Sequence, residues 1–159
     1  MGVSGSGKTV IGSRLARALD VEFVEGDTYH SPANIAKMSA GIPLTDEDRR
    51  DWLHAIGRRI RQANETGDGV VVSCSALKRS YRDVIRGEAG RVRFVFLSGE
   101  RALIGERLRQ RKGHFMPISL LDSQIATLEE PSSDEDVWLV DITKSPEDIV
   151  ASLIARASA

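Results

Sequence analysis

Gly2-Val3-Ser4-Gly5-Ser6-Gly7-Lys8-Thr9 satisfies G-x-x-x-x-G-K-[ST] at every constrained position and runs into a helical pattern marked by Ile11, Leu15 and Leu19. Glycines let the backbone wrap an anion and aim successive N–H groups at it, while the helix that follows presents its positive end to the same point. Polyphosphate is therefore expected on Gly2, Ser4, Gly5, Ser6 and Gly7. Lys8 would reach the β- and γ-phosphates as a point charge, and the Thr9 hydroxyl would give one oxygen to a magnesium ion that otherwise keeps water and phosphate ligands. A merely flexible Gly/Ser turn has no need of Lys-Thr followed by an apolar helix. Only Met1 precedes Gly2, so the buried strand that leads into such a loop is missing from this chain. Truncation is the working hypothesis; a complete sheet whose central strand came from elsewhere in the chain would refute it.

Asp27 follows the β-prone run Val21-Glu22-Phe23-Val24 and so falls at the carboxyl edge, where open α/β sheets place their ligands. There a carboxylate accepts the proton of an attacking hydroxyl or orients magnesium through water, although an Asp after Gly26 also suits a plain turn. Arg49 shares a helix face with Trp52, Leu53, Ile56 and Ile60, which leaves it either to snorkel or to grip a carboxylate or phosphate. Arg50, Arg58 and Arg61 point elsewhere. By the same periodicity Arg107 and Arg111 fall within the apolar arc of Leu103, Ile104 and Leu108, whereas Arg109 faces away. With Gly113 as a hinge, that segment reads as a cationic lid over about residues 107–117, supplying transition-state charge in the manner of an arginine finger. Lys78 and Arg82 follow a buried strand as i,i+4 neighbours; they either hold an anionic substrate or pair with Asp83 and Glu88.

Several elements must position these groups. Helix is expected from Thr9 to Leu19, then from Pro32 behind an Ser31 N-cap, and from Thr45 to about Asn64 behind a Thr45/Asp48 capping box. Apolar runs at 69–74, 92–97 and 137–140 read as parallel strands covered on both faces, with helices at about 77–86, 101–111, 118–129 and 146–157. Strand and helix alternate, which predicts a doubly wound α/β fold, mostly parallel, in one domain over residues 1–159. The least ordered stretches are expected at 112–117 and 131–136.

Composition excludes several classes. Lys plus Arg number 22 against 23 Asp plus Glu, and aromatics are 5%, so neither a basic surface nor stacking platforms argue for nucleic acid. No apolar run nears the roughly 20 residues of a membrane span, and the lone Cys74, in apolar company, suits a buried thiol in a reducing cytoplasm. His30, His54 and His114 lack metal-ligand spacing.

Glu25-Gly26-Asp27-x-x-His30, Asn34-x-x-Lys37-Met38-x-x-Gly41-x-Pro43-Leu44-x-Asp46-x-Asp48-Arg49-x-x-Trp52-Leu53, Cys74-Ser75-Ala76-Leu77-Lys78-x-x-Tyr81-Arg82-Asp83, Arg111-Lys112-Gly113-His114-Phe115 and Leu121-x-x-Gln124-x-x-x-Leu128-Glu129-x-Pro131 occur in this order. Together with the loop at Gly2, they resemble the gluconate kinases, which are built like shikimate and nucleoside monophosphate kinases. The resemblance implies transfer of the ATP γ-phosphoryl group to the 6-hydroxyl of D-gluconate, a magnesium requirement and a homodimer. It also implies that Asp27 meets the acceptor hydroxyl, that His30, Lys37, Arg49, Lys78, Arg82, His114 and Gln124 lie on the substrate side, and that Arg107 and Arg111 belong to the lid. Family members possess the strand before Gly2. Two alternatives stand beside this reading: a kinase of another small hydroxy acid such as shikimate or of a nucleotide, and a nucleotide-binding switch. The second lacks an Asn-Lys-x-Asp guanine reader and an Asp-x-x-Gly after an apolar strand.

Overall fold

Parallel strands cannot be joined by a tight turn, so a chain that pairs them must cross over through helices. The computed structural model describes residues 1–110 and 118–158, with Ile118 and Ser119 described by their backbone alone. Strand β1 (Glu22–Glu25) pairs parallel with β2 (Val70–Ser73), with Glu25 opposite Ser73. Strand β3 (Val95–Ser98) pairs parallel with β4 (Trp138–Asp141), with Ser98 opposite Asp141. Helix α1 (Lys8–Leu19) precedes β1, and α2 (Pro32–Ser39) with α3 (Asp46–Thr66) makes the crossover to β2. Helix α4 (Arg79–Ala89) leads to β3, α5 (Arg101–Gln110) and α6 (Ile118–Thr127) come before β4, and α7 (Pro146–Ala157) follows it. The expected alternation, parallel throughout the described pairs, is present.

Local chemistry accounts for the helix starts. The Ser31 hydroxyl accepts from the Asn34 amide at 3.2 Å, with Pro32 as the first residue of α2. At α3 the Thr45 hydroxyl accepts from the Asp48 amide at 3.1 Å while the Asp48 carboxylate accepts from the Thr45 amide at 2.9 Å, satisfying two donors that a helix end leaves over. Trp52, Leu53, Ile56 and Ile60 are buried as one stripe, and α3 packs along α4. Arg49 heads that stripe and is buried with it.

Four expectations about strand bounds, coverage and order need correction. The strand anticipated over 92–97 begins only at Val95, and Val70, Val71 and Val72 are half-buried rather than enclosed. Leu139 on β4 is 57% exposed, so that strand is not covered on both faces. β1 with β2 and β3 with β4 form two separate pairs, and among the described residues no strand joins β2 to β3, which leaves Val70, Val71 and Val72 beside a gap. Among the described residues no other segment takes the central position. The stretch 131–136, expected to be poorly ordered, carries a 3-10 turn at Ser133–Glu135 with Glu135 buried. Residues 112–117, the other such stretch, lie outside the described residues.

Candidate active site

The loop before α1 is shaped by backbone conformations that side chains resist. Gly7, the residue that caps α1, has φ +98° and offers no side-chain oxygen to the helix start. The first amides of α1 have no partner four residues back, so they are directed at the adjoining cleft. Ser6 adds a buried hydroxyl with no hydrogen-bond partner among the described residues. An uncapped helix start, a left-handed glycine and an orphaned hydroxyl fit a bound polyphosphate. Lys8 Nζ donates to the Val3 carbonyl at 2.9 Å, which holds the ammonium over the loop. The Gln124 side chain, reaching in from α6, accepts from the Ser4 amide at 2.6 Å.

Beside the loop stands a carboxylate that sequence reading did not single out. Thr9 Oγ1 donates to Glu25 Oε2 at 2.8 Å, and the Ser73 hydroxyl donates to Glu25 Oε1. Glu25 ends β1, two residues before Asp27, and the register opposite Ser73 brings its clamp from the neighbouring strand. The i,i+2 spacing of two acids at a strand end is the signal that marks it. Thr9, Glu25 and Asp27 all offer hard oxygens, which fit magnesium better than a softer ion. Among the described residues no cluster of three or more His, Cys, Asp or Glu forms a closed metal cage, so phosphate and water would complete such a shell.

Asp27 lies in a 3-10 turn that leaves β1, with its side chain 60% exposed to the cleft and solvent. The turn is held from below. A Cβ on Gly26 would come within 2.2 Å of the Ser73 carbonyl oxygen, so only glycine allows this approach. The Trp52 indole donates to the Gly26 carbonyl at 2.8 Å and stacks on His30, ring centroids 4.3 Å apart and planes 14° from parallel. His30 Nε2 is 3.9 Å from Asp27 Oδ1. Burial, opposed by Asp27 and aided by Arg49, lowers the His30 pKa and keeps the imidazole neutral at pH 7. Its Nδ1 is buried with no partner among the described residues.

The facing wall comes from α2 and the segment after it: Met38, Ile42, Pro43 and Leu44 line the same cleft as Arg49. The Arg49 guanidinium donates to the Leu44 carbonyl at 3.3 Å and lies 5.6 Å over the Tyr81 ring, while its buried Nε has no partner among the described residues. A buried cation with a free donor is costly unless a ligand completes it. Arg107, from α5, also lines the cleft and donates to the Ile142 carbonyl at 2.8 Å. The cleft has a volume of about 570 Å³.

The structure thus brings Ser4, Gly5, Gly7, Lys8, Thr9, Asp27, His30, Arg49, Arg107 and Gln124 to one cleft. Gly2 and Ser6 are buried within the loop. Other expected residues go elsewhere. Lys37 binds both oxygens of Asp48, at 2.7 and 2.9 Å, tying α2 to α3. Lys78 pairs with Asp46 at 2.8 Å, and the Tyr81 hydroxyl donates to the same carboxylate. Arg82 is corrected outright, since its guanidinium is fully buried and bound to Glu135, and neither substrate nor the anticipated Asp83 and Glu88 can reach it. Arg111 and His114 lie outside the described residues. Cys74 is buried, and burial pushes its thiol up to about 12, which makes it inert as a nucleophile.

An amide nest at a helix start, a lysine on it, two acids at the end of the adjoining strand and arginines across the cleft define a P-loop phosphotransferase. Residues 1–131 match a family model described as an AAA domain. The gluconokinase of Gluconobacter oxydans (strain 621H) is 47% identical over 159 residues, covering 100% of this chain and 89% of that protein. A crystal structure of a gluconokinase from Sinorhizobium meliloti 1021 superposes with a TM-score of 0.87 at 51% identity, over 98% of this chain and 87% of that one. An unliganded sugar kinase from Janibacter sp. HTCC2649 does so with a TM-score of 0.93 at 46% identity, over 98% and 90%. The chain belongs to the gluconokinase family.

Proposed function

We propose that this protein transfers the γ-phosphoryl group of ATP to the 6-hydroxyl of D-gluconate, giving 6-phospho-D-gluconate. The observation that carries this reading is one cleft lined at once by the amide nest, Asp27 and a buried arginine with an unpartnered donor. The nest and Lys8 hold the β- and γ-phosphates, and Arg107 faces the charge on the phosphoryl group in transit. The Thr9 hydroxyl, with Glu25 and Asp27 nearby, would hold magnesium, which when bound would supply positive charge against the phosphates. Asp27 accepts the proton of the 6-hydroxyl. Arg49 grips the gluconate carboxylate, and the apolar wall at Met38, Ile42 and Leu44 excludes water behind the sugar acid. His30, neutral and locked against Trp52, offers a ring nitrogen to a sugar hydroxyl. Family likeness further supports a homodimer, and the lone buried Cys74 agrees with a cytoplasmic setting; no helix among the described residues is long and apolar enough to cross a membrane.

ADP release measured across gluconate, other sugar acids, shikimate and nucleoside monophosphates tests the reading. Gluconate should show the highest kcat/KM. A higher value for another acceptor would reassign the substrate, and ADP release indifferent to every acceptor would leave a nucleotide-binding switch. Arg49→Ala should raise the KM for gluconate by about 10- to 100-fold, the worth of a lost charge-assisted bond, and leave that for ATP within about twofold. A loss confined to ATP would move Arg49 to the nucleotide side.

A further inference from the structure

The amides of the phosphate loop fall into two sets. Gly2 N–H donates to the Ser75 carbonyl at 3.2 Å, Ser4 N–H to Gln124 Oε1 at 2.6 Å and Ser6 N–H to the Val3 carbonyl at 3.2 Å. The Gly5 and Gly7 amides have no protein partner among the described residues, and both glycines line the cleft. From Ser4 to Gly7, anchored peptides therefore alternate with peptides left for an anion. Two of the three anchors are main-chain carbonyls, present whatever the side chains. The Ser4 anchor is different, because it is a side chain 120 residues away in sequence.

Gln124 lies on the face of α6 that carries Leu120, Leu121 and Leu128, and Leu120, Ser123 and Gln124 line the cleft. The chain just beyond α6 is tied down: the Glu129 amide donates to the Leu77 carbonyl at 2.9 Å, and its carboxylate accepts from the Arg79 amide at 2.8 Å. Behind the loop stands α5, so close that a Cβ on Gly5 would come within 2.7 Å of Leu108. The loop is thus gripped between two packed helices. The chemistry of the grip is specific. Methionine would fill the same space with no adequate acceptor for Ser4, and glutamate would accept but set a negative charge against the polyphosphate. A neutral amide oxygen holds the peptide and leaves the field of the nest positive.

We propose that Gln124 is a positioning residue for the phosphate nest: by accepting from Ser4 N–H it turns that peptide away from the ligand and keeps the flanking Gly5 and Gly7 amides aimed at the polyphosphate. Gln124 then serves the nucleotide rather than the sugar acid, a role that rests on the loop being the ATP site. Without its acceptor the Ser4 peptide is free to rotate, and the alternation that presents Gly5 and Gly7 together is lost.

Calorimetric titration with ATP, steady-state rates and hydrogen exchange on Gln124→Met and Gln124→Glu test this, with Lys8→Ala as the reference. Gln124→Met should raise the Kd and KM for ATP by about 5- to 10-fold, the worth of one hydrogen bond, and leave the gluconate KM within about twofold. It should also speed exchange at the Ser4 amide by about 10-fold or more. Gln124→Glu should keep that amide protected and still weaken ATP by about 5-fold or more, through charge alone. An unchanged ATP Kd in Gln124→Met, whatever its Tm, would overturn the assignment. So would a rise confined to the gluconate KM, or equal Ser4 exchange in the parent and both variants. If Lys8→Ala binds ATP as tightly as the parent, the ATP site is misplaced and both readings fall. If Lys8→Ala loses ATP while Gln124→Met keeps it, only the role of Gln124 falls.

Discussion

Asp27→Asn is expected to lower kcat by about a thousandfold while leaving both KM values within a few-fold, the usual worth of a positioned proton acceptor. The substitution keeps the size of the side chain and removes only its basicity. The fold should not notice. Asp27 is 60% exposed, the neutral His30 imidazole lies 3.9 Å from its carboxylate, and the turn that carries it is held by Gly26 and Trp52 rather than by the carboxylate. Steady-state rates with a melting curve on the same preparation check both halves of the expectation. A competitor for the role is the His30 imidazole, neutral though weakened as a base by the burial that lowers its pKa. Near-normal turnover in Asp27→Asn, with loss of turnover in His30→Asn, would transfer the base to the imidazole.

Arg82→Ala should cost about 3–5 kcal/mol of stability and lower Tm by about 10 °C or more, because it strands a buried carboxylate. Arg82 Nε and Nη2 bind the two oxygens of Glu135 at 2.5 and 2.7 Å, and Nη1 reaches the carbonyls of Ala76, Leu77 and Glu129 at 3.2, 3.3 and 3.1 Å. One side chain thus staples the segment after β2 to the segment after α6. Ala76, fully buried with φ +42°, needs such support, since a side chain resists that conformation. Arg82→Leu with Glu135→Leu should recover most of the loss, as removing both charges leaves none uncompensated.

The pair also sets an acid limb. The hydrogen bond from Arg82 pulls the Glu135 carboxyl from 4.5 to about 2 against the opposing effect of burial. A depressed folded-state pKa contributes stability that is complete above about 4.5 and is lost as pH falls towards about 2. Denaturant titrations across that window should show the loss in the parent chain and a weaker slope in the double leucine variant. The gluconate KM of Arg82→Ala, measured well below its Tm, should rise far less than that of Arg49→Ala. A comparable rise would return Arg82 to the substrate side.

Features set within a few residues were legible in the chain. The Thr45/Asp48 box and the Ser31 cap at the start of α2 depend on atoms three residues apart, and the nest depends on glycines whose allowed conformations are intrinsic. The helical period alone placed Arg49 on the buried face, since that face follows from 3.6 residues per turn. The motifs spread from Gly2 to Pro131 carried the family.

Partner choice across long separations was not legible. Lys78 found Asp46 and Arg82 found Glu135, 32 and 53 residues away, where the local pattern had offered Asp83 and Glu88. Glu25 became the partner of Thr9 because β1 lies beside α1, and Ser73 joined it through the parallel register. Strand pairing, too, is settled in three dimensions: apolar runs announce strands, but which edges meet is decided by the crossovers. Residue identity and short-range geometry were thus enough for the helices, the phosphate loop and the family. The pairing of charges and strand edges waited on the tertiary structure, because an ion or a ladder group is satisfied by whatever the folded chain brings within about 3 Å, and sequence distance does not determine that.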